Sequence, residues 1–146
     1  MTDDHLSSLS IVIYDGHFDK IHYALAMASS AAAIETTVTL FFTMDAAHAL
    51  MVSKDGTPAW RALPVSQSSH QSGGEMDDFF VEQIIGTFED LLSACVEMGV
   101  TIMICEMGLK ARKLSTESMR TDVPITPGGL VTFLSRASKD GSIIFI

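Results

Sequence analysis

The fold class legible in this chain is α/β, a mostly parallel sheet of about five strands with helices on both faces. Two observations predict it. Short runs rich in β-branched residues alternate throughout with segments whose apolar residues recur every three or four positions. The central runs, Thr37-Val-Thr-Leu-Phe-Phe-Thr43 and Val100-Thr-Ile-Met-Ile-Cys105, are apolar on both faces, as strands buried between two helix layers are. Such alternation implies right-handed crossovers. At 146 residues the whole chain, 1–146, is expected to form one domain around one core.

The elements follow in order. Ser8 to Tyr14 reads as a first strand, ended by Asp15-Gly16. Asp19 is placed to cap a helix whose small residues (Ala24, Ala28, Ala31, Ala32) pack closely on a sheet. Thr37 to Thr43 is the second strand, and Asp45 is placed to cap a short helix, Ala46 to Val52. Residues 54–74 interrupt the rhythm with prolines, glycines and a serine cluster, so they read as a long loop or arm. Trp60 and Leu63 equip it to dock, as a lid over a site or onto a neighbouring subunit. A helix over 75–98 follows, with Phe80, Ile84, Phe88, Leu91, Leu92 and Cys95 on its buried stripe and Gly99 ending it. Then come the strand 100–105, a short helix near 108–114, and a turn-rich connection at 122–129 with room for a short strand. Leu130 to Ala137 is a last helix and Ser142 to Ile146 a terminal strand.

Composition excludes several function classes. No apolar run approaches the roughly 18 residues that a membrane span needs. The short acidic start, Met1 to His5, is neither a signal nor a transit peptide. Two cysteines cannot build a disulfide framework, which points to a cytoplasmic protein. A net charge of -9 argues against nucleic acid as a partner. The charge is uneven, with seven acids and no base from Glu75 to Met98, and four bases against Glu117 alone from Lys110 to Arg120. That basic stretch is either a solvated helix face or a positive field around the thiol just before it.

That thiol is Cys105, the leading candidate for chemistry. It closes a strand and opens a helical turn, where unpaired backbone N–H groups stabilise a thiolate. It also lies at the carboxyl end of the sheet, where sites in such folds cluster. Rise per residue along helix and strand separates Cys95 from Cys105 by roughly 10 Å, beyond the reach of a disulfide. Two free thiols are expected, with Cys95 a small apolar core residue that also stands as a secondary candidate thiol. The histidines (His5, His17, His22, His48, His70) show no zinc spacing, although His17 and His22 could meet at the first helix start. His17 either supplies a proton near Cys105 or is a solvated loop residue. Phosphate-binding and nucleophile-elbow motifs are missing. Gly128-Gly129 reads either as an anion site or as the geometry of a helix start.

Several segments, in their order and spacing, carry a resemblance over almost the whole chain. They are Phe18-Asp-Lys20, Thr37 to Thr43, Met98 to Cys105 with Glu106-Met107, and Pro127-Gly-Gly-Leu-Val-Thr-Phe-Leu134 leading to Ile143-Ile-Phe-Ile146. The chain resembles the DsrE/DsrF-like family, in its DsrE-like or peroxiredoxin-like branch. The resemblance implies a flavodoxin-like three-layer sandwich that assembles into a homo-oligomer, a trimer, tetramer or hexamer. It also implies sulfur transfer, with Cys105 matching the family cysteine that carries sulfane sulfur as a persulfide. No metal or organic cofactor is implied, and the implied partners are a rhodanese-like donor and a TusA-like sulfur carrier. The alternatives are a non-catalytic small-molecule or nucleotide-binding module and a thiol-based redox sensor. The chain departs from the family pattern in the loop 54–74 and in Gly108-Leu-Lys-Ala after the cysteine.

Overall fold

The computed structural model describes residues 6–146, so the acidic start, with His5, lies outside the described residues. Five strands form one all-parallel sheet: β1 (Ser8–Ile13), β2 (Thr37–Phe42), β3 (Thr101–Cys105), β4 (Thr126–Gly128) and β5 (Ser142–Phe145), in the order β4-β3-β2-β1-β5. Register pairs Ile13 with Phe42, Phe42 with Ile104, and Cys105 with Gly128. The carboxyl ends of the first four strands are therefore level, and loops from different strands meet there.

Alternation along the strands sorts side chains into two faces. Leu9, Ile11, Ile13, Val38, Leu40, Phe42, Ile102 and Ile104 join one core. Over it lie α1 (Phe18–Ala33), α2 (Gly73–Glu82) and α3 (Phe88–Glu97), which contribute Phe18, Leu25, Phe80, Phe88 and Leu92, while α4 (Glu106–Ala111) adds Leu109. The opposite face carries a smaller cluster, Val12, Phe41, Met103 and Cys105, closed by Phe133 of α5 (Leu130–Arg136). Helices on both faces of a parallel sheet make the α/β three-layer fold that the sequence predicts.

Several expectations are corrected. Asp19 does not cap α1; His17 holds that position without a side-chain bond. The Asp19 carboxylate instead accepts from the Ser66 amide and hydroxyl and the Gln67 amide, tying the long connection to α1. Asp45 is likewise no cap. Thr43 precedes a 3-10 helix, Met44–Leu50, and Asp45 lies in its first turn, ion-paired to Arg112. Within residues 54–74, Ala59–Ala62 forms a 3-10 turn and α2 begins at Gly73. Trp60, 1% exposed, packs against Phe18 and Phe88 of its own chain.

The helix expected over 75–98 is two helices. α2 stops at Gln83 because Ile84 turns to φ 59°. Ile84 N–H donates to Val81 and Ile85 N–H to Phe80, the paired bonds of a Schellman stop. Thr87 then caps α3, its hydroxyl accepting from Asp90 N–H, with Glu89 and Asp90 in the first turn. The same stop ends α1 at Glu35, α3 at Gly99 and α4 at Lys113. Only one of the four left-handed residues is glycine, so three of the four stops are silent in composition. Ile84, expected on a buried stripe, is 95% exposed.

Candidate functional site

Cys105 ends β3 in extended conformation and occupies the position before the first residue of α4. From there its Sγ accepts the Gly108 N–H at 3.4 Å. Gly108 makes this approach feasible, since a Cβ on it would lie 2.7 Å from Met44 N and 2.9 Å from Thr43 Oγ1. The first turn of α4 thus presses against the end of β2 and presents a backbone donor to the sulfur. The thiol is 1% exposed, in one buried cluster with Phe133, whose ring stacks on Phe41 at 4.8 Å.

The basic stretch does not surround the thiol. Arg120 is buried, bound to Glu89 through Nη1 and Nη2 at 2.8 and 2.6 Å and to Asp122 at 2.8 Å. Arg112 Nε is spent on Asp45 at 2.6 Å. Lys110 and Lys113 are exposed at the carboxyl end of α4, away from the end that holds Cys105, and Glu106 stands in its first turn. At Gly128-Gly129, Gly129 simply starts the seven-residue α5.

Cys95 sits in a different environment, fully buried in α3 within the core on the other side of the sheet. Its thiol donates to the Leu25 carbonyl at 3.7 Å, and burial pushes its pKa up from 9.0 to about 11. Both cysteines are free.

The histidines disperse. His22 is buried against the Phe80 ring, with Nε2 2.7 Å from the Gly86 carbonyl. His70 pairs with Glu75 at 3.3 Å. His17 and His48 both line a cavity of about 310 Å³ above the carboxyl ends of β1 and β2, with Tyr14, Asp15, Asp45 and Leu63. The pairing of Asp45 escapes a reading of the sequence because its partner, Arg112, is far along the chain, whereas Asp15 bonds to its near neighbours His17 and Lys20. The one local signal is Asp15-Gly16-His17, in which the Asp15 carboxylate accepts the amide two residues on. Among the described residues no group of three or more His, Cys, Asp or Glu could hold a metal ion.

Comparison with known proteins adds fold and family. No curated protein matches the sequence closely enough to count. A solved structure of a protein of unknown function from Methanobacterium thermoautotrophicum is similar, with a TM-score of 0.54 at 11% identity over 95% of this chain and 98% of that one. At that identity the likeness concerns the fold. The model of the DsrE/DsrF-like family matches residues 8–145, from the first residue of β1 to the last of β5. The match spans most of the chain, which therefore belongs to the DsrE/DsrF-like family.

Proposed function

We propose that the protein is a sulfur carrier that accepts and passes on sulfane sulfur as a persulfide on Cys105. The observation that supports this best is the Gly108 amide 3.4 Å from Cys105 Sγ, at the carboxyl end of a parallel strand in a DsrE/DsrF-like chain. Family membership is consistent with sulfur relay. In the proposed step the Cys105 thiolate attacks the outer sulfur of a donor persulfide, R–S–SH. The new S–S bond forms on Cys105 and R–S⁻ leaves. The reverse step, onto an acceptor thiol, returns Cys105 to a thiolate. Neither step needs a metal or organic cofactor. In this reading the donor is a rhodanese-like protein, the acceptor is TusA-like, and the setting is the cytoplasm, which keeps both thiols reduced.

Cys95 takes no step in this scheme. Its thiol is protonated at neutral pH and faces the other core. Cys105 is buried in one cluster with Phe133 of α5, so in this reading sulfur transfer requires that cluster to open. The helix is short, and Leu130, Val131 and Leu134 on its outer side are exposed. By register, Ile143 and Phe145 of β5 point to the same side of the sheet and are also exposed, with Tyr14 against the Phe145 ring at 5.4 Å. This apolar surface supports homo-oligomer assembly on the side of the sheet that carries the thiol.

Intact mass after incubation with polysulfide, or with thiosulfate and a rhodanese, tests the carrier. The expected result is a gain of one or more sulfur atoms that a reducing agent removes. Undiminished uptake by Cys105→Ser would sink the assignment. Light scattering on Phe145→Glu tests the assembly surface, with dissociation expected.

A further inference from the structure

The loop after β1 carries an Asp–His pair for which the sulfur-carrier reading has no use. Asp15 Oδ1 lies 2.5 Å from His17 Nδ1 and accepts the His17 backbone amide at 2.8 Å, while Oδ2 takes the Lys20 ammonium at 3.1 Å. Burial works to raise the Asp15 pKa, but these bonds outweigh it and hold the carboxyl at about 2. An ionised carboxylate only accepts, so the proton of a neutral His17 ring sits on Nδ1. Nε2 is left as an acceptor, and no described residue bonds it.

The cavity around this pair is built by close approach. A Cβ on Gly16 would lie 2.6 Å from the Asp45 Cβ, so only glycine lets the loops from β1 and β2 meet. Met44 adopts φ 49°, a left-handed conformation that side chains disfavour, immediately before Asp45. Arg112 then holds the Asp45 carboxylate from α4. On the remaining side the Pro64 carbonyl accepts Phe18 N–H at 2.8 Å, which fixes the Leu63-Pro64 wall against the start of α1. Cys105 is not in the lining. The cavity stands where parallel α/β sheets hold their ligands, outside the carboxyl ends of adjacent strands.

We propose that this cavity is a second site, separate from the thiol, that takes an uncharged, ring-bearing molecule of nucleobase or nucleoside size. Its volume is at the lower end of small-molecule pockets. Tyr14, Leu63 and Pro64 offer flat apolar surface, while Asp45 and His17 Nε2 accept hydrogen bonds from ligand N–H and O–H groups. Phosphate is excluded by two carboxylates whose cations, Lys20 and Arg112, are already paired. No glycine-rich cradle replaces them.

The test is NMR titration of the full chain, following the imidazole C–H signals of His17 and His48. Adenosine, guanosine, cytidine and uridine are added in turn, then the monophosphate of any nucleoside that binds. At least one nucleoside is expected to shift both signals saturably, with the monophosphate weaker by about tenfold or more, roughly 1.4 kcal/mol. Cys105→Ser should bind like the parent, and His17→Ala should lose the response with its thermal midpoint kept. The proposal is overturned if no nucleoside moves either signal at about 5 mM, a weak-binding limit. Equal binding of the monophosphate, or an unchanged response at His48 in His17→Ala, overturns it as well. Sulfur loading of Cys105 is independent of all these outcomes.

Discussion

The amide of Gly108 and the sulfur of Cys105 are joined across the first turn of α4, and the contact survives only while position 108 lacks a side chain. Met44 N and the Oγ1 and Cα atoms of Thr43, just past the end of β2, occupy the space where a Cβ would go. Thiol environment and packing between two strand ends therefore depend on one residue.

Gly108→Ala is expected to destabilise the fold by about 1–3 kcal/mol, the usual cost of overpacking. It should also slow Cys105 alkylation at a pH where the variant remains folded, since the amide no longer reaches the sulfur. Urea unfolding and iodoacetamide kinetics check the two effects. Normal stability with unchanged kinetics would refute the role of the contact.

Cys95 makes stability fall at high pH. Its folded pKa, about 11, is above the ordinary 9.0, so its contribution is complete below pH 9 and is lost as pH rises through 11. Between pH 8 and 11 the parent should lose about 2 kcal/mol more than Cys95→Ala loses, as expected for a two-unit shift. Denaturant curves of both proteins at the two pH values measure the difference, and parallel losses would contradict it.

Ile84 is strained at the end of α2. A β-branched residue at φ 59°, 95% exposed, gains no packing in return. Ile84→Gly is expected to stabilise the chain by about 0.5–1 kcal/mol, the left-handed penalty less the entropy that glycine loses. Ile84→Val keeps the strain and should change little. The urea midpoint reads both.

Arg120 binds two carboxylates, and Glu89 also accepts the Trp60 indole N–H at 2.7 Å. Arg120→Met should cost about 2 kcal/mol at pH 7, less than for a fully buried pair because Glu89 is half exposed. Hydrogen bonding to Arg120 holds the Glu89 and Asp122 carboxyls below their ordinary pKa values. Their stabilisation is therefore present above the ordinary carboxylate range and lost as pH falls through the lowered values. The gap between parent and variant should narrow at about pH 3, with Trp60 fluorescence following the loss of its partner.

The strands were legible because β-branched runs such as Thr37–Phe42 and Thr101–Cys105 need no distant partner to be read. Cys105 at a strand-to-helix junction was legible for the same reason. The break in the helix over 75–98 was not, because Ile84 takes a conformation that composition assigns to glycine. Thr87 with Asp90 was the clue that a new helix begins. Of the two readings of the basic stretch, the field around Cys105 fails on pairings that no local pattern encodes, Arg112 with Asp45 and Arg120 with Glu89. The cavity at His17 was hidden for a similar reason, since three separate segments supply its walls.

Leu9 pairs with Ser142, and β1 has β5 as its neighbour on one side from Leu9 to Val12. Contacts so distant in sequence are slow to form, because a long loop must close before any of them is rewarded. A ribosome-bound chain can build the block from β1 to β4 while one edge of β1 stays bare. Until β5 arrives, that edge offers unpaired backbone groups to any other nascent chain. When β5 docks it covers that edge of β1 and becomes the outer strand itself, a shorter edge of four residues, Ser142–Phe145.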